Sequence, residues 1–122
     1  MKKWILAGLF SMLWTVSIFA ADVNGLWNFS GNNQTLIFFQ EGSTIKVMCT
    51  YLESGKVITW YGEGTISGDR LRYTLHHANT DDKWDYEHIF TVSSDGKTMS
   101  GTYGRVGRVQ GNWTLKKIGP KN

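Results

Sequence analysis

Turn-forming clusters interrupt the chain about every eight to fourteen residues, and that spacing restricts it to short strands of an all-β sandwich or barrel. The clusters are Gly31-Asn32-Asn33, Glu41-Gly42-Ser43, Glu53-Ser54-Gly55-Lys56, Ser67-Gly68-Asp69, Ser93-Ser94-Asp95-Gly96 and the glycine-rich residues 104–109. Between them apolar and polar residues alternate with period two, and no segment carries helical periodicity over a useful length. The one proline, Pro120, lies in the C-terminal tail, so every intervening backbone N–H is free to join a ladder. The spacing predicts eight strands, over residues 25–30, 34–40, 44–52, 57–66, 70–76, 84–92, 97–103 and 110–117. Gly62 and Gly64 predict a bulge or bend within the fourth.

Eight strands joined by consecutive hairpins form an antiparallel up-and-down meander. With no helix to cover a face, closing the sheet removes both edges, and eight strands enclose room for side chains or one small ligand. A two-sheet sandwich is the alternative. Parity places Ile45, Val47, Cys49 and Tyr51 inward on the third strand, and Ile58, Trp60 and Ile66 on the fourth. Leu71, Tyr73 and Leu75 follow on the fifth, Tyr86, His88, Phe90 and Val92 on the sixth, and Met99 and Tyr103 on the seventh. Trp113 and Leu115 face inward on the eighth. The second strand, Leu36-Ile37-Phe38-Phe39, is apolar on both faces and stays ambiguous.

Residues 1–20 read as a secretory signal peptide of bacterial type. Lys2 and Lys3 form a positive start, an apolar run follows, and Ala20 and Ala21 precede polar Asp22. Cleavage after Ala20 leaves residues 21–122 as one domain, periplasmic or secreted, with no lipoprotein cysteine behind the leader. Without Lys2 and Lys3 the 13 basic residues fall to eleven against ten acids. That balance argues against a nucleic-acid partner, and no later stretch is apolar for long enough to span a membrane. Cys49 is the only cysteine, so an internal disulfide is impossible, and its inward parity makes it a buried thiol or an intermolecular link.

Two Trp-bearing motifs frame this domain, Gly25-Leu26-Trp27 and Gly111-Asn112-Trp113. The first, with Lys116 or Lys117 at the far end, resembles the calycin barrels: the lipocalins, fatty-acid-binding proteins and avidins. In those families a Gly-x-Trp on the first strand packs beneath a basic side chain from the last. Thr98-Met99-Ser100-Gly101-Thr102-Tyr103 and Asn112-Trp113-Thr114-Leu115 are similar to avidin strands in particular. Phe29 and Met99 depart from the avidin pattern. The resemblance implies a barrel with a ligand-binding habit, and it does not imply biotin.

The inward set Tyr51, Trp60, Tyr73, Tyr86, His88 and Tyr103 is rich in aromatic rings with polar tips, which suits either a satisfied polar core or a pocket for an aromatic or amphipathic molecule. The meander puts residues 77–83 and 104–109 at one end, the expected mouth. Arg105 and Arg108 flank the second of these loops and are placed to meet an anionic group. His76, His77, Asp81, Asp82 and His88 lack compact zinc spacing, so no metal or other cofactor is expected. The strand acids Asp85 and Glu87 face outward, as does Ser100, which leaves no nucleophile–base pair and no enzyme motif. The expected function is an exported small-ligand barrel; the alternative is a protein-binding or inhibitor module acting through its mouth loops.

Overall fold

The computed structural model describes residues 20–30, 33–79 and 84–118. The expected leader, apart from Ala20, lies outside them, as do Asp81 and Asp82. Eight strands run in chain order: β1 Gly25–Phe29, β2 Thr35–Glu41, β3 Thr44–Glu53, β4 Lys56–Ser67, β5 Arg70–His77, β6 Tyr86–Val92, β7 Thr98–Arg105 and β8 Arg108–Lys117. Each pairs antiparallel with its successor, and β8 returns to β1, so the sheet is a closed up-and-down barrel rather than a sandwich. The closing seam consists of three register pairs, Trp27↔Lys117, Asn28↔Lys116 and Phe29↔Leu115.

Alternation makes the core. Ile45, Val47 and Cys49 of β3, Leu71, Tyr73 and Leu75 of β5, and His88, Phe90 and Val92 of β6 are all buried. The ambiguous second strand resolves, with Leu36 and Phe38 buried and Phe39 68% exposed. Trp27 is fully buried, and its indole Nε1 donates to the Val23 carbonyl at 2.9 Å. The Lys117 ammonium lies 5.9 Å from the centre of the Trp27 ring, while Lys116, on the opposite face, is exposed. Lys117 therefore supplies the basic side chain at this end.

Backbone bonds stitch that end shut. The N–H of Ala21 donates to Gly68 O at 2.7 Å, that of Val92 to Asp69 O at 2.8 Å, and that of Ile66 to Ser43 O at 2.9 Å. The Gln40 side chain accepts from Val23 N–H at 2.9 Å, and its backbone N–H donates to Asn24 Oδ1 at 2.8 Å. Residues 20–24 thus lie across the base of the barrel, with Val23 inserted in its core.

Three details differ from the sequence reading. The ladders run unbroken through Gly62 and Gly64; a Cβ on Gly64 would lie 1.9 Å from Arg72 O, so the glycine serves close approach of β4 and β5 rather than a bulge. The irregularity falls instead between Tyr103 and Gly104, where the β7–β8 register shifts. Beyond it Arg105 pairs with Arg108. The expected long loop at residues 104–109 is therefore a two-residue Val106-Gly107 turn, with Gly107 at φ 83°.

A candidate binding cavity at the open end

Below its midpoint the lumen is filled by side chains; above it the lumen is hollow. A cavity of about 370 Å³ opens at the end opposite Trp27. Leu75, Cys49 and His88 belong to its buried part, and Tyr51, Trp60, Tyr86, Tyr103 and Trp113 contribute aromatic rings. Gln34, Glu53, His77 and Gln110 complete the lining.

The rings are ordered by contacts with one another. Trp60 and Tyr86 stand almost perpendicular, at 81° with centroids 5.0 Å apart, and Trp60 Nε1 donates to the Tyr51 hydroxyl at 3.2 Å. Across the barrel Tyr103 stacks on Trp113, 3.7 Å apart and 14° from parallel. The Phe29 ring also packs against Trp113, with centroids 4.1 Å apart. Gly111 makes the stack possible. It is the cross-strand partner of Tyr103, and a Cβ there would lie 2.8 Å from the Tyr103 ring.

Tyr73 sits beneath the cavity rather than on its wall. Its hydroxyl is 2.8 Å from His88 Nδ1, and both residues are buried. A buried phenol leaves its proton without a partner unless it donates, so Tyr73 is the donor and Nδ1 the acceptor. The imidazole proton then resides on Nε2, on the side of the ring away from Tyr73. Burial lowers the His88 pKa to about 3 and raises that of Tyr73 well above its ordinary value, so both are neutral at physiological pH. Burial likewise raises the Tyr51 phenol, partly opposed by the Trp60 hydrogen bond. The Cys49 thiol is raised to about 12 by burial, and its Sγ lies 3.9 Å from Gln34 Oε1.

Of the eight residues expected at the site, Tyr51, Trp60, Tyr86, His88 and Tyr103 line one cavity. Arg105 and Arg108 do not join them. They border a separate outer groove with Glu87 and Val109, and the Arg105 guanidinium lies 4.5 Å over the Trp84 ring. Gln34, Glu53 and His77 were legible by extending parity two residues past Leu36, Tyr51 and Leu75. On the outer wall His76 meets Asp85 at 2.9 Å and Arg72 meets Glu87 at 3.0 Å. Among the described residues no three His, Cys, Asp or Glu side chains are grouped to hold a metal ion. No family model matches the chain, nor does any curated protein or solved structure.

Proposed function

We propose that this protein is an exported, non-enzymatic barrel that holds one small aromatic or amphipathic molecule in the open half of its lumen. The observation that carries the reading is the cavity of about 370 Å³ walled by five aromatic side chains. It falls within the range of roughly 300–1,000 Å³ common to small-molecule sites, which combine apolar walls with a few placed polar groups. His88 supplies such a group, a neutral N–H donor held by Tyr73. The packing of Lys117 on Trp27 adds the calycin-like feature, and calycin barrels are ligand carriers by habit.

The neutral amphipath N-phenyl-1-naphthylamine tests the reading. Saturable one-to-one binding that quenches tryptophan fluorescence is expected, and His88→Ala should weaken it by about 1–3 kcal/mol if a buried hydrogen bond is lost. Uptake that does not saturate, or that is indifferent to both His88→Ala and Trp113→Ala, counts against it. The second reading, protein binding at the mouth, draws on Leu52, Val57, Val106 and Val109, apolar and exposed beside the β3–β4 and β7–β8 turns. It gains if the cavity takes no probe.

A further inference from the structure

The charges around the cavity are unevenly distributed. Among the described residues no lysine or arginine lines it, and Glu53 is its single carboxylate. Arg105 and Arg108, the cations nearest the mouth in β7 and β8, border the outer groove instead. Lys56 is the cross-strand neighbour of Glu53, yet the two form no ion pair. Burial is the main cause of the raised Tyr51 phenol, and the nearby Glu53 charge adds to it.

Five aromatic rings make up much of the wall. Trp60 and Tyr86 form a right-angled corner, and Tyr103 on Trp113 forms a second wall. Aromatic faces carry negative quadrupole potential, and a cation held among several of them gains more as it is desolvated. An anionic ligand would find no lysine or arginine here; besides the aromatic rings and Glu53, the lining offers the neutral amides of Gln34 and Gln110 and the imidazoles of His77 and His88. We infer that the bound ligand carries a shielded positive charge, as a quaternary ammonium does, held among these rings with Glu53 as its counter-ion at the rim. The inference rests on the ligand-binding reading above and narrows it to organic cations.

Choline and 3,3-dimethyl-1-butanol, its neutral isostere with carbon in place of nitrogen, separate the two claims. Calorimetric titration of the exported protein at pH 8 should show choline binding at least about tenfold more tightly than the isostere. A merely apolar cavity would prefer the isostere, because choline costs more to desolvate. Glu53→Gln should weaken choline several-fold and leave the isostere unchanged; this side chain is exposed, so the fold does not depend on it. Equal or tighter binding of the isostere, or an indifferent Glu53→Gln, overturns the cation inference while the ligand-binding reading stands. If N-phenyl-1-naphthylamine binds and neither small probe does, the cation inference alone falls. If none of the three binds, both fall.

Discussion

Tyr73 and His88 share a single buried hydrogen bond, 2.8 Å from hydroxyl to Nδ1, beneath the open half of the lumen. It fixes the imidazole tautomer and thereby the polarity offered to a ligand. Tyr73→Phe keeps the ring but strips the donor from Nδ1. The expected loss is about 1–3 kcal/mol of stability, the cost of an unsatisfied buried acceptor. Nitrogen chemical shifts of His88 should move from one tautomer toward a mixture. A wild-type His88 that already carries its proton on Nδ1 would reverse the donor and acceptor assigned here.

The same histidine sets an acid limit. Its folded pKa, about 3, lies below the ordinary value of 6.5, so between these limits the unfolded chain takes up a proton that the folded chain refuses. Stability is therefore retained above about pH 6.5 and lost as pH falls toward 3, with a slope approaching about 1.4 kcal/mol per pH unit from this group. The diagnostic quantity is the difference between wild type and His88→Gln in urea melts across that window. A difference that does not vary with pH would rule out a neutral buried His88.

At the base, Trp27→Ala should cost about 3–5 kcal/mol, because a fully buried indole leaves a cavity that rigid strands cannot close. Lys117→Met, which keeps the stem and removes the ammonium, should cost no more than about 1 kcal/mol for a partly exposed cation–π contact. Chemical denaturation of both variants checks the ranking. A larger loss from Lys117→Met than from Trp27→Ala would invert the roles assigned here.

Gly64→Ala should destabilise by about 1–3 kcal/mol or more, since a methyl would intrude on Arg72 O and on Tyr73 Cα and Cβ. Gly68→Ala tests a different mechanism. Its φ is 60° with open space around the added methyl, so the cost there is backbone strain alone. Thermal melts should rank Gly64→Ala as the more damaging.

Cys49 should resist alkylation at pH 8 until the protein unfolds, because a thiol raised to about 12 holds little thiolate. The rate of iodoacetamide labelling should rise with urea in step with unfolding. Rapid stoichiometric labelling in native buffer would contradict the buried placement.

The fold was legible because its inward positions are apolar: Ile45, Val47, Leu71, Leu75, Phe90 and Val92 declare a face by simple alternation. The cavity was legible only in part, for the opposite reason. Near the mouth the inward positions become polar, so Glu53 and His77 look like turn residues although they continue the parity of Tyr51 and Leu75. The seventh hairpin misled differently. Gly104 and Gly107 read together as a loose loop, but Gly104 is a strand residue whose absent Cβ lets the Arg108 carbonyl approach. Only Gly107 turns the chain; the register shift leaves Gln110 of β8 as the extra residue, and the two arginines border the outer groove. Period-two counting has no means of anticipating an inserted residue.

The closure of the barrel is uneven in strength. β3 and β4 share ten register pairs, whereas β1 and β8 share three, extended by Ser30 N–H to Thr114 O and Ile118 N–H to Leu26 O. Amide protons along this seam should be the first of the ladder to exchange with solvent, since opening it breaks the fewest bonds. An opened seam bares two strand edges at once, and at high concentration each can accept the complementary edge of another copy. Strand exchange between molecules would therefore begin with β1, even though that strand carries the most deeply buried tryptophan in the barrel.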